Sequence, residues 1–188
     1  MQRFLVAFFI LLLISALLPN HKNFAQDVTP TTTLTPTPTV SKDISYDLPY
    51  PGILPDNPLY FLKVIRDNIM VIFITDPLKK ADYDLLMADK RLVSAKSLID
   101  EKKNDLAITT LSKSGNYFDE AIQQVSAAKQ QGEETSPLLS KMITASQKHQ
   151  QIILQMEQLV KGSTRYNLEL LFVRTKNFQD TVAVIKSD

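Results

Sequence analysis

The chain contains no cysteine and no tryptophan, and only four glycines and two histidines among its 188 residues. The lack of cysteine excludes a disulfide framework, a thiolate metal site, a cysteine nucleophile and a lipid-bearing cysteine behind a signal. Stability must therefore come from packing. The glycines form no phosphate-cradling loop, and no serine sits in a Gly-x-Ser-x-Gly turn. His149 is the one histidine of the folded part. Ser146 stands three residues before it, where the Glu-x-x-His pairs of di-metal bundles require a glutamate. His149 is thus expected to be a core or boundary residue with a hydrogen-bond partner, and no metal or other cofactor is called for.

A surplus of one charge is also missing. Three of the 21 Lys+Arg (Arg3, Lys22, Lys42) and two of the 20 Asp+Glu (Asp27, Asp43) precede Tyr46, which leaves 18 of each sign beyond it. Nucleic-acid binding needs excess Lys and Arg to displace counterions from phosphates, so nucleic acid is not expected as a partner. The same balance gives no strong pull towards an anionic bilayer. The acidic groupings Asp82 with Asp84, Asp119-Glu120 and Glu133-Glu134 lack the spacing of a calcium loop and are expected to be solvated. Alternating apolar runs and Asn-Gly or Asp-Gly hairpin turns are absent, which argues against strands.

What is present begins at the N-terminus. Arg3 precedes an unbroken apolar run from Phe4 to Leu18, followed by a short polar stretch and Phe24-Ala25-Gln26. A run of about fifteen residues suits a secretory signal and falls short of the roughly twenty that span a bilayer comfortably. Residues 1–25 therefore read as an export signal, cut between Ala25 and Gln26, or as a retained anchor that meets the membrane through residues 4–18. Asn23 departs from the small residue that the cleavage pattern wants, and both outcomes stand open. In either case the rest of the chain is extracytoplasmic, secreted or held at the outer face of the cytoplasmic membrane.

Residues 26–49 form a Thr/Pro-rich linker, with Thr29-Pro30, Thr35-Pro36 and Thr37-Pro38 and little to bury. Such a chain extends by about 3.1 Å per residue and can hold a domain on the order of 70 to 80 Å from its base.

Residues 50–188 read as one all-α domain, a helical bundle of about five helices with coiled-coil-like seams. Helix starts are written as a capping residue before proline at Asn57-Pro58, Asp76-Pro77 and Ser136-Pro137, with further starts at Asn104-Asp105 and Ser163-Thr164. Gly132 and Gly162 are expected to close helices in the left-handed conformation. The second helix carries the seam Leu78, Ala81, Leu85, Ala88, Leu92, Ala95 and Ile99. The fourth carries Leu138, Met142, Ala145, His149, Ile152, Met156 and Leu159, and the fifth Leu168, Leu171, Thr175, Phe178, Val182 and Ile185. Gly115 lies inside the third helix, where a kink or break is expected. The first helix, Pro58 to Ile74, ends in the run Ile69 to Ile74, apolar on every face. It is expected to be the central, fully surrounded element; the alternative is that its apolar end meets a membrane or a partner.

The run Pro51-Gly52-Ile53-Leu54-Pro55-Asp56-Asn57-Pro58-Leu59-Tyr60-Phe61-Leu62-Lys63, followed by Asp76-Pro77-Leu78-Lys79-Lys80-Ala81 and Met87-Ala88-Asp89-Lys90-Arg91-Leu92, resembles an uncharacterised bacterial domain-of-unknown-function family of exported helical proteins. The likeness covers roughly Tyr50 to Lys129. It implies an extracytoplasmic helical domain and brings no activity with it. Within the motif, Pro51, Gly52, Pro55, Asp56, Asn57, Pro58, Tyr60, Lys63, Asp76 and Pro77 are expected to act structurally, the prolines stiffening the approach and Tyr60 and Phe61 filling the bundle.

No residue pattern points to catalysis. The expected function is a non-catalytic, envelope-associated interaction module contacting an envelope protein or cell-wall component. The alternatives are a secreted carrier of a small apolar ligand, with a cavity beside the first helix, and a wall-polymer hydrolase.

Overall fold

The computed structural model describes residues 43–188. The signal or anchor, with Ala25 and Gln26, and the linker through residue 42 lie outside the described residues. Five helices follow in order: α1 Tyr60–Ile72, α2 Pro77–Asp100, α3 Asn104–Gln130, α4 Ser136–Leu159 and α5 Gly162–Ser187. No strand occurs among the described residues, and the all-α reading holds.

Helices α2 to α5 close a four-membered ring in which α2 packs on α3 and α4, and α5 on α4 and α3. The seams face this interior as their periodicity requires. One cluster gathers Leu85, Phe118, Val125, Leu139, Met142 and Phe178, and a second gathers Leu92, Leu98, Leu111, Ile153, Met156 and Leu168. Each such side chain contributes roughly 1.5–3 kcal/mol by leaving water. Alanines 81, 88 and 95 are fully buried on α2, where their small volume admits the neighbouring helix closely. Phe118 and Phe178 stack with centroids 4.9 Å apart and planes 2° from parallel, joining α3 to α5. Leu159, at the end of the α4 seam, is 61% exposed, although Met156 before it and Val160 after it are buried.

Several expectations about helix grammar need correction. Helix α3 runs unbroken through Gly115. The glycine is there for space: a Cβ would lie 2.8 Å from the Arg174 guanidinium, which crosses α3 at that point to reach Asn116 and Asp119. Ser136 does not cap α4 but is its first residue; Thr135 holds the cap position, and the Glu134 carboxylate accepts from the Ser136 N–H at 3.0 Å. Gly162 has φ +64° and opens α5 after the extended pair Val160 and Lys161, so it does not close α4.

The expected start at Asn57-Pro58 also shifts, since α1 begins at Tyr60 with Leu59 at its cap position; the signals at Asp76-Pro77 and Gly132 act as expected. Asp76 accepts from the Lys79 N–H at 3.0 Å, with Pro77 in the first turn. Gly132, at φ +82°, ends α3 with the Glu133 N–H donating to the Ala128 carbonyl. The end of α2 has the same pattern without a glycine: Lys102 stands at φ +62°, and Lys103 donates to Leu98 while Lys102 donates to Ile99.

Residues 43–49, placed in the linker by composition, lie against the bundle. Tyr46 packs on the first cluster and Leu48 on the second. Lys148 donates to Asp43 at 2.8 Å.

Candidate functional site

The first helix departs most from expectation. It is not the centre of the bundle: α2 to α5 make the extensive helix contacts, and α1 lies outside their ring. Its polarity is also inverted. Lys63 and Asp67 are each 7% exposed and face inward, while Phe61, Leu62, Ile65 and Ile69 are more than half exposed, and Ile72 and Phe73 reach 73% and 79%. The spacing explains which residues go where. Tyr60, Lys63, Asp67, Val71 and Ile74 recur at helical intervals and form the inward stripe; Phe61, Ile65, Ile69 and Ile72 form the outward one.

Polar contacts hold the inward stripe. The Lys63 ammonium donates to the Pro51 carbonyl at 2.6 Å and reaches towards Ile53 at 3.5 Å. Burial first, and then the charge of Arg91, pull its pKa below the usual lysine value. Tyr83 donates its hydroxyl to the Asp67 carbonyl at 3.2 Å, and Arg66 pairs with the Asp67 carboxylate at 2.7 Å. Beneath them Arg91, 3% exposed, lies 5.2 Å from the Tyr60 ring and 6.0 Å from the Tyr117 ring. These two aromatic faces stabilise its guanidinium in place of a carboxylate. Arg91 Nε and Nη1 and Asp67 Oδ2 are buried without a hydrogen-bond partner, so the seat of α1 is an incompletely paired polar floor.

The proline-rich motif builds this seat. Pro51 offers the carbonyl that Lys63 needs, and Gly52, at φ +72°, turns the backbone towards it. Asp56 pairs with Lys103 beyond the end of α2, which holds its carboxyl below the usual range. Asn57 accepts from the Leu59 N–H at 2.9 Å and sets the turn that contains Pro58, and Pro55 lies in the same loop. Tyr60 faces Arg91, whereas Phe61 points outward at 58% exposure and does not fill the bundle. Asp76 and Pro77 serve the separate task of starting α2. The motif also lines an open concavity of about 650 Å³ between Tyr50 and Pro58.

A family model described as Domain of unknown function (DUF5667) matches residues 52–163, more than half of the chain. The chain belongs to this family. Neither a curated protein nor a solved structure matches it. The DUF5667 match begins at Gly52 and extends through α4, beyond the reach to Lys129 expected from the motifs; all but the first two residues of α5, which completes the ring, follow it.

Elsewhere in this DUF5667 chain, His149 is a buried core histidine, as expected, with Nε2 2.7 Å from Asp89 Oδ1. No group of three or more potential metal ligands gathers among the described residues, and no described helix is long and apolar enough to cross a membrane. One acidic residue expected in solvent is not there: Asp84 is 1% exposed and faces inward beside the α2 seam. Sequence reasoning missed Arg91 and Asp84 for the same reason. Both interrupt an otherwise apolar face at single positions, which a seam read by its Leu and Ala passes over.

Proposed function

We propose that this DUF5667 chain is an exported, non-catalytic contact domain of the cell envelope, carried on its Thr/Pro linker and docking through the outward face of α1. The inverted polarity of α1 carries the reading. In water, six large apolar side chains on one exposed helix face form a contiguous patch of a size that marks an interaction surface. The signal-like N-terminus and the linker support placement outside the cytosol. The electroneutral surface and the packed interior of α2 to α5 support a contact role over chemistry.

The absence of cysteine makes a direct test possible. Ile69→Cys on α1 and Val173→Cys on the exposed side of α5 each introduce a unique thiol. A maleimide that cannot cross the cytoplasmic membrane is expected to label the α5 site in intact cells, while the α1 site stays protected until the envelope is disrupted. No labelling at either site would place the domain in the cytosol, and equal labelling at both would leave the α1 face uncovered; either result defeats the reading.

A further inference from the structure

We infer that the surface covered by α1 is a lipid bilayer, with the helix lying flat in the headgroup boundary and Phe61, Leu62, Ile65, Ile69, Ile72 and Phe73 turned into the acyl region. The inference rests on the reading of the chain as an exported contact domain and names what that domain contacts.

Four observations converge on lipid. The first is how α1 is held. Its orientation is set by Lys63 on Pro51, Tyr83 on Asp67 and Tyr60 over Arg91, which are polar ties that fix the apolar face outward. A helix free to choose in water would bury the opposite face.

The second is charge. The one charged residue of α1 that points outward is Arg66, with its side chain 62% exposed; the single acid, Asp67, is turned in. The outward face therefore carries no carboxylate to be desolvated or repelled at a headgroup layer. An arginine at its margin can keep its charge among phosphates while its stem follows the apolar strip. The overall neutrality of the domain is compatible with this, because attachment rests on apolar insertion and not on a basic surface.

The third is size. A helix of 13 residues is about 20 Å long and about 10 Å wide, so its outward half offers on the order of 300 Å². That is below the roughly 800 Å² per partner of a stable protein interface, which argues against a second copy as the main occupant. It is also too short for a hydrocarbon core of about 30 Å, so the helix lies on the bilayer and does not cross it.

The fourth is position along the chain. Helix α1 is the first described helix after the linker, and the linker follows the apolar run Phe4 to Leu18. In the retained-anchor outcome, a base in the bilayer confines α1 at an effective concentration in the millimolar range, so a strip of modest intrinsic affinity suffices to keep it at the surface. The roughly 70 to 80 Å expected from composition is a maximum reach.

The test uses the full chain in vesicles of phosphatidylethanolamine and phosphatidylglycerol. Ile69→Cys, with Ile65→Cys as a second α1 site, and Val173→Cys as reference carry an environment-sensitive fluorophore, and part of the lipid carries a nitroxide on its acyl chain. The expected result is a blue-shifted emission and at least a twofold nitroxide quenching at both α1 sites, with neither at the α5 site. Quenching no greater at α1 than at α5 overturns the inference. A bismaleimide added to the unlabelled Ile69→Cys chain separates the two ways of failing. Crosslinked dimers without lipid quenching mean that a second copy covers α1, so the lipid assignment falls while the docking face stands; exposed, uncrosslinked α1 sites remove both.

Discussion

His149 on α4 meets Asp89 on α2 through Nε2 and Oδ1 at 2.7 Å, with both side chains about 5% exposed or less. The other carboxylate oxygen of Asp89 accepts from the Tyr46 hydroxyl at 2.6 Å. The Phe118 ring meets the imidazole edge-on at 5.6 Å. One buried carboxylate thus ties three parts of the chain together: the segment before α1, and two neighbouring helices of the ring. Burial and then the charge of Asp89 hold the Tyr46 phenol well above its usual pKa, so it stays a donor. Both donors approach a separate oxygen, which makes this a satisfied polar network inside an apolar core.

Removing the shared acceptor is therefore expected to cost more than removing either donor. Asp89→Ala leaves the His149 imidazole and the Tyr46 hydroxyl buried without a partner, a loss on the order of 3 kcal/mol in urea unfolding followed by circular dichroism. Tyr46→Phe takes away one hydrogen bond and is expected to cost about 1 kcal/mol. Its distinctive mark is local: faster amide exchange over residues 44–48, with the α2 to α5 core unchanged. Equal losses for the two variants would show that the carboxylate does not act as a shared hub.

The end of α2 offers a gain in stability. Lys102 occupies the left-handed position of a helix-closing motif whose counterpart at the end of α3 is Gly132. A side chain there crowds its own backbone, and glycine does not. Lys102→Gly is expected to raise stability by up to about 1 kcal/mol, read as an increase of a few degrees in the thermal midpoint. Gly132→Ala is expected to lower it by a similar amount. If Lys102→Gly is destabilising, the aliphatic stem of Lys102 supports the connection more than its backbone strains it.

Much of this architecture is legible in the residues. The Leu and Ala steps of α2 and the Phe178 and Val182 positions of α5 bury as their period requires, because a seam is a local property of the chain. Asp76-Pro77 starts a helix because both partners of the cap lie within one turn. The cap readings at Ser136 and Gly162 fail by a residue or two within one connection; the other failures involve partners distant in sequence. Gly115 reads as a break until Arg174, 59 positions later, is seen to need the space. The inward turn of Lys63 and Asp67 depends on Pro51, Tyr83 and Arg91, which lie outside the helix. The run from Ile69 to Ile74 reads as a buried centre because local hydrophobicity cannot say which side of a helix the rest of the fold leaves open. The candidate site rests on that non-local choice, which the sequence leaves open between a surrounded centre and an apolar end that meets a membrane or a partner.

Asp84 makes stability depend on pH in a direction opposite to that of an ion-paired carboxylate. It is 1% exposed, and its Oδ2 has no hydrogen-bond partner. Burial, reinforced by the charge of Glu120 and opposed by Lys80, pushes its pKa up from 3.8 to about 6. The folded state therefore holds the proton more tightly than the unfolded chain across that window. Its contribution favours folding most at low pH, falls as pH rises from about 4 to about 6, and is a full penalty above; two pKa units correspond to about 3 kcal/mol. Asparagine at this position keeps the shape and cannot ionise. Asp84→Asn is accordingly expected to unfold at higher urea than the parent at pH 7.5, by on the order of 2 kcal/mol, and with nearly the same midpoint at pH 4. Urea titrations of both proteins at the two pH values decide the matter, since an advantage of equal size at pH 4 and pH 7.5 would arise from packing and not from the buried charge.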